Sequence, residues 1–189
     1  MVKDKLRVLS FDLGSMLGWA CSTIDLTNPN GASIIINDSG TIDLNSIARS
    51  RSNQYSNAFS PFLIKMRVFE EVTASLMDRI QFDAYASEDV FLNHSFMTSF
   101  KSLLIYIYTL EKMVAERKNS ILYKIPPTSV KSHASDFGFS NKDEIMAAIL
   151  ANPRIIFKNP NPILDEHSSD AIAVNYAFLK EYLTFNIGG

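Results

Sequence analysis

Cysteine and long hydrophobic stretches are both scarce in this chain. The single cysteine, Cys21, excludes an intramolecular disulfide framework and fits a reducing compartment. No apolar run approaches the roughly 20 residues that a membrane-spanning helix needs. The N-terminal "MVKDKLRVLSFD" carries charges where a signal peptide would be apolar. We therefore expect no membrane partner and a soluble, cytoplasmic protein.

Net charge is also small. The 189 residues are 47% hydrophobic, which is enough for one sizeable core, so we expect a single domain over residues 1–189. Their formal charge of −2 predicts little overall attraction for nucleic acid. Residues 101–158 differ, because they contain nine Lys or Arg against five Asp or Glu. This segment could form a basic binding face or could simply carry scattered surface lysines. Charge alone leaves both readings open.

Hydrophobic periodicity predicts strands first and then alternating helices and strands. Gly14 and Gly18 frame a tight turn between the first two strands, and the polar residues 45–60 read as a mobile surface loop. The predicted strands are 6–11, 19–24, 32–37, 41–44, 83–91 and 121–125. The predicted helices begin at Pro61, span 96–118, run from a cap at Ser140 to Ala151, and span 166–183, with an irregular stretch at 152–162. This order indicates an α/β domain with a mixed sheet.

Two predicted strands end on acids. Asp12 ends the apolar strand of "VLSFDLGSMLGWA", where a buried carboxylate is costly unless it is paired or holds a metal. Asp12 could instead be a turn residue for the bend at Gly14. Glu88 ends a later strand, and because successive side chains alternate, it points to the opposite face of the sheet from its neighbour Asp89. Because strand ends meet along one sheet edge, we expect Asp12 and Glu88 to lie close together.

The last helix adds a second pair of polar residues. His167 and Asp170 are three residues apart and therefore share a helix face. They could be surface residues, and Asp165 before them reads as the helix N-cap. Together with Asp12 and Glu88, however, they form a hard-ligand set suited to Mg²⁺ or Mn²⁺. Such sites hold two ions roughly 3.5–4 Å apart and hydrolyse phosphodiesters.

Four segments in order resemble the RuvC family of Holliday-junction resolvases, within the ribonuclease H-like superfamily. They are "FDLGSMLGWA", "SEDVF", "PPTSVKSHASDFGFSNKDEIMAAI" and "HSSDAIAV". The resemblance implies a ribonuclease H-like fold with an antiparallel meander, parallel strands and flanking helices. It further implies a catalytic and metal-binding tetrad that consists of Asp12, Glu88, His167 and Asp170.

The resemblance also implies partners. We expect Mg²⁺, two ions per active site with Mn²⁺ able to substitute, and a homodimer that makes paired symmetric nicks in a four-way DNA junction. Lys131 and Lys142 match DNA-facing positions, and Phe91 is either a base-stacking residue or a core aromatic. His167 is either a metal ligand or a general base. The helix 96–118 is either the dimer interface or a core-packing helix.

Other functions fit parts of the same pattern. A flap, Y-branch or RNA–DNA hybrid nuclease would keep the metal site and change the substrate. A non-catalytic nucleic-acid-binding factor would keep the fold, although all four candidate ligands are present here. A sugar-kinase or actin-type ATPase also begins with an acid and a glycine turn, but that class needs two such domains.

Overall fold

The computed structural model describes residues 3–27, 32–55, 59–90, 97–134 and 142–187. In chain order the elements are β1 (Lys5–Asp12), β2 (Met16–Asp25), β3 (Ser33–Asp43), α1 (Leu44–Arg51), a 3-10 turn (Ser52–Gln54), α2 (Pro61–Asp78), β4 (Ala84–Glu88), α3 (Met97–Lys118), β5 (Leu122–Ile125), α4 (Pro127–Ala134), α5 (Lys142–Ala151), β6 (Ile155–Phe157) and α6 (Glu166–Ile187). None of these described helices is both long and apolar enough to cross a membrane. The organisation of residues 1–189 as one domain stays a prediction.

The strands form one mixed sheet, as the sequence predicts. Its order is β5-β4-β1-β2-β3-β6. The first three strands form an antiparallel meander. β4 runs parallel to β1, β5 runs parallel to β4, and β6 runs parallel to β3. The C-terminal ends of β1, β4 and β5 consequently lie along the same edge of the sheet.

Helices cover both faces of the sheet because the central strands are apolar on both sides. Leu6 and Val8 of β1 pack against α4, α5 and α6. Leu9 and Phe11 of the same strand point the other way and pack against α1, α2 and α3. Alternation therefore places Ser10 and then Asp12 on the α6 face. The buried central strand that the sequence predicts is confirmed.

A polar network inside the core holds α6 to the sheet. The amide of Asn175 on α6 accepts a hydrogen bond from Ser22 Oγ at 2.8 Å and donates one to Ser10 Oγ at 3.0 Å. The Ser10 hydroxyl in turn donates to the carbonyl of Ala171 at 2.7 Å. All three polar side chains are fully buried. Because each one is satisfied by the others, the network specifies how α6 sits on β1 and β2.

The region before α2 differs from its prediction. The predicted strands 32–37 and 41–44 are one strand, β3, because its backbone pairs with β2 continuously from Ser33 to Asp43, with an irregularity opposite Cys21 and Ser22. The predicted loop 45–60 begins as the helix α1. Asp43 caps this helix by accepting a hydrogen bond from the Ser46 amide. Two of its apolar side chains, Leu44 and Ala48, are spaced at i and i+4 and are buried, and Ile47 packs against the same core cluster.

Three further boundaries are corrected. Gly18 lies inside β2 rather than at the end of a turn, because β2 already begins at Met16. The stretch 152–162 contains the short strand β6, which pairs with β3 at Ile34–Ile36. The segment after β5, for which the sequence predicts no element, forms α4. The helix that begins at Pro61 is confirmed, with Ser60 as its cap.

The buried network generates a stability prediction. We expect Asn175→Ala to lower the free energy of unfolding by about 2–3 kcal/mol, because it leaves the buried Ser22 hydroxyl without its acceptor, removes the donor to Ser10 and opens a small cavity. The measurement is urea denaturation of both proteins. Asn53→Ala is the matched control, since Asn53 is exposed and its loss should change the free energy by less than about 0.5 kcal/mol. Equal effects of the two substitutions would contradict the prediction.

Candidate active site

The ends of β1 and β4 bring two carboxylates together. The two strands pair in parallel with Phe11 opposite Ser87, so one further step in the register places Asp12 beside Glu88. Glu88 shares the α6 face with Ala84 and Ala86, which are buried in the core on that side. Asp89, one residue further on, points to the opposite face of the sheet.

The first turn of α6 supplies the other two candidate residues. Asp165 caps this helix, because its Oδ1 accepts a hydrogen bond from the Ser168 amide at 2.8 Å. The same oxygen accepts a bond from Thr41 Oγ1 of β3 at 2.6 Å, which ties the start of α6 to the sheet. His167 then reaches β1, where its Nδ1 lies 2.8 Å from Oδ2 of Asp12.

A glycine makes this close approach possible. Gly18 of β2 pairs with Asp12 of β1. A Cβ at Gly18 would lie 2.1 Å from the carbonyl oxygen of His167 and 3.1 Å from the Cβ of Asp12. No side chain fits at that distance, so only glycine allows the first turn of α6 to lie against this end of β2.

The four candidate residues line one cavity of about 410 Å³. Lys131 of α4 lines the same cavity, so the structure brings one of the two predicted DNA-facing lysines to the acids. Glu166 is a further acid in this wall, and the sequence analysis missed it. Its position in the sequence could have identified it, because a residue four positions before Asp170 on a helix lies on the same face as Asp170. The remaining lining residues are Leu13, Pro127, Val130, Ile145 and Val174.

The electrostatics of the cavity are unfavourable for three carboxylates. Burial and, after it, the negative charges of Asp12 and Asp170 together raise the pKa of Glu88 to about 7, although the positive charge of Lys131 opposes the rise. A buried group whose charge is disfavoured by its neighbours is typical of functional sites. The cavity therefore holds a set of oxygen ligands that a cation would stabilise.

The donor set fits a hard divalent ion in chemistry, since it consists of carboxylates and one imidazole. The described side chains are not positioned as ligands around one ion, however. Among the described residues, no three His, Cys, Asp or Glu side chains lie where they could hold a metal together. The side chain of Lys142 and the whole of Phe91 lie outside the part of the chain that the structure describes, so their contacts with DNA stay predictions.

Neither a protein-family model nor a curated protein sequence matches the chain. Solved structures do match it. Thermus thermophilus RuvC aligns with a TM-score of 0.61 and 14% identity over 97% of both chains. T. thermophilus RuvC in complex with Holliday junction substrate aligns with 0.63 and 14% over 97% of this chain and 96% of that chain. The yeast mitochondrial Holliday junction resolvase Ydc2 aligns with 0.57 and 16% over 95% of this chain and 82% of that one.

These alignments define the class of fold. The mixed six-stranded sheet with helices on both faces is a ribonuclease H-like fold, as the sequence predicts. More particularly, the chain has the fold of RuvC and Ydc2, and this similarity extends over nearly its whole length. The structural part of the sequence resemblance is therefore confirmed.

The contact at Gly18 generates a prediction about positioning. We expect Gly18→Ala to push the first turn of α6 away from β2, which should separate His167 from Asp12 and cost about 1–3 kcal/mol of stability. Thermal unfolding and a crystal structure of the variant measure both effects.

Gly40→Ala is the matched control, because a Cβ there would lie 3.3 Å from the Trp19 side chain and needs only a small adjustment. If Gly18→Ala is as stable as the control and keeps the distance between His167 and Asp12, the positioning role that we assign to Gly18 is wrong.

The buried charge of Glu88 generates a prediction about pH. The folded state raises the pKa of Glu88 from 4.5 to about 7, so the metal-free protein should lose stability as the pH rises through this range. Glu88→Gln removes the titration. In EDTA at pH 8 we expect it to stabilise the protein by about 2 kcal/mol relative to wild type, and at pH 4.5 we expect little difference.

Thermal unfolding in EDTA at both pH values tests this expectation. Glu116→Gln serves as the control, because the side chain of Glu116 is 66% exposed and its loss should have no comparable pH dependence. A Glu88→Gln protein that is no more stable at pH 8 than wild type would show that Glu88 carries no buried charge cost.

Proposed function

We propose that this chain is a divalent-metal-dependent endonuclease that resolves four-way DNA junctions by paired symmetric nicks. The observation that carries the proposal is the convergence of Asp12, Glu88, His167 and Asp170 on one cavity, within a fold shared with two Holliday-junction resolvases. Both the order and the positions of these residues on the sheet and on α6 support the assignment of the site.

The metal-binding part of the proposal assigns the ligands to the chain's own residues. Asp12, Glu88 and Asp170 would hold Mg²⁺ or Mn²⁺, and two ions per site are the expected number. When bound, such ions activate water and stabilise the leaving oxygen of a phosphodiester. The raised pKa of Glu88 supports this assignment, because burial and then the charges of Asp12 and Asp170 disfavour its negative charge, which a cation would stabilise. The side chains would have to rotate toward one another to coordinate an ion together.

The remaining polar residues have roles that follow from their contacts. His167 holds Asp12 through the 2.8 Å hydrogen bond, which orients the carboxylate and places an imidazole at the cavity wall as a further ligand or as a base. Lys131 provides a positive charge in the same cavity, where it would contact the phosphate next to the scissile bond. Lys142 and Phe91 remain proposed DNA contacts.

A homodimer completes the proposal, because two sites related by a two-fold axis are needed to nick two opposed strands. One face of α3 packs in the core through Tyr106 and Leu110. Elsewhere on the helix, Ile105 is 42% exposed and Tyr108 is 63% exposed. The core-packing reading therefore explains only part of α3, and the exposed apolar side chains support its use as the dimer interface.

The test is cleavage of a mobile four-way DNA junction in Mg²⁺ or Mn²⁺. We expect wild type to make paired nicks, and we expect Asp12→Asn to lose about 10²-fold or more of the rate, since a metal ligand contributes several kcal/mol. Asp38→Asn is the control, because Asp38 is exposed and pairs with Arg79 on the surface. Its rate should equal that of wild type.

The choice of substrate separates the proposal from its alternatives. Preferred cutting of a Y-branch, a flap or an RNA–DNA hybrid would assign the same site to another substrate. Binding of the junction with no cleavage in either metal would contradict the nuclease proposal and favour a non-catalytic binding factor.

A further inference from the structure

A second cavity lies between α1 and α2, on the face of the sheet opposite α6. It has a volume of about 590 Å³. Its apolar lining consists of Ala48, Pro61, Phe62 and Ile64, and its polar lining consists of Asn45, Arg49, Ser52 and Lys65. We call this cavity the α1–α2 groove. It combines an apolar floor with two cationic side chains.

The groove is positively charged in a chain that is acidic overall. Residues 44–69 contain four Lys or Arg and no Asp or Glu. One of the four, Arg51, is paired with Glu71 of α2. Within the described parts of the chain, neither Arg49 nor Lys65 takes part in a salt bridge. These two cations are therefore not neutralised by a carboxylate partner there, and they favour an anionic ligand.

The groove begins next to the proposed active site. Ser15 lies in the turn that follows Asp12, and its carbonyl accepts a hydrogen bond from the Leu44 amide at 2.9 Å, where α1 begins. The Ser15 hydroxyl accepts a hydrogen bond from Nζ of Lys65 at 3.2 Å. The turn after Asp12 thus connects directly to both helices of the groove. From this turn, α1 extends for about 12 Å, given its eight residues.

The positions of the two cations fit a ligand that continues away from the active site. Lys65 lies at the end next to Ser15. Arg49 lies on α1, five residues or about 7.5 Å beyond Leu44, where its Nε donates to the carbonyl of Asn45 at 3.3 Å and its side chain is exposed. Asn45 and Ser52 add hydrogen-bonding groups on the same wall. Successive cations along a groove with an apolar floor suit a sugar–phosphate backbone.

We propose that the α1–α2 groove binds the phosphate backbone of the DNA strand that leaves the active site, with Lys65 and Arg49 as its phosphate contacts. The strand crosses the sheet edge at the turn after Asp12 and passes from the α6 face to the α1–α2 face. Phe62 and the other apolar residues of the floor contact the sugars. The inference rests on the proposed function, since it supplies a path for the DNA of that same site.

The experiment measures DNA binding in an Asp12→Asn background, so that cleavage does not interfere. Fluorescence anisotropy of a labelled four-way junction and of a linear duplex is recorded between about 50 and 200 mM salt. The test variant is the double substitution Arg49→Gln with Lys65→Gln, in which glutamine keeps hydrogen-bonding capacity and removes charge. Lys5→Gln is the matched control, because Lys5 is an exposed lysine at the start of β1, at the opposite end of that strand from Asp12.

We expect the double variant to bind the junction about tenfold or more weakly near 0.1 M salt, with a logarithmic salt slope smaller by about 2, because each lost phosphate contact removes about 0.9. Each single substitution should reduce the slope by about 1, and these variants carry the test if the double variant does not fold. Lys5→Gln should keep the slope of the parent protein. An unchanged slope in the groove variants would overturn the proposal.

Cleavage by the otherwise wild-type chain, measured in parallel, separates this proposal from the proposed function. Junction cleavage together with an unchanged salt slope would refute the groove alone. A reduced slope without any cleavage would support the groove as a DNA-binding surface and refute the nuclease activity. Absence of binding to either DNA would refute both.

Discussion

The structure of the site depends on the close packing of α6 against β1 and β2. Gly18 leaves room for the backbone of His167, which approaches to a distance that no side chain would permit. Deeper in the core, Asn175 forms hydrogen bonds with Ser10 and Ser22, which fix both the rotation of α6 about its axis and its position along β1 and β2. Both contacts act on the helix rather than on the cavity, yet together they determine that the first turn of α6 meets the end of β1.

This packing concentrates charge at the sheet edge. Asp12, Glu88 and Asp170 share a partly buried cavity, and the cost appears in the raised pKa of Glu88. The charge of Lys131 offsets only part of that repulsion. A protein that keeps such a cluster gives up stability at the site, and a divalent cation is the ligand that would restore it.

The sequence predicts those features that depend on local pattern. Period-two and period-3.6 alternation identify the buried strand before Asp12 and the helix that begins at Pro61, and strand parity selects Glu88. Features that depend on distant partners are not predictable in this way. The sequence of α1 is mostly polar, and the helix forms because its apolar residues Leu44 and Ala48 pack in one core cluster with residues of α2. Likewise, the contact of Gly18 with His167 joins residues far apart in the chain.

The central claim is that the strand-end acids and α6 form one divalent-metal site. Anomalous diffraction from crystals grown with Mn²⁺ tests it most directly, because the ion is located without reference to activity. We expect one or two anomalous peaks, each within about 2.0–2.3 Å of oxygens of Asp12, Glu88 or Asp170, which is the distance typical of oxygen ligands to a hard divalent ion. Mn²⁺ bound only elsewhere, or a cavity without a peak at saturating Mn²⁺, would contradict the claim.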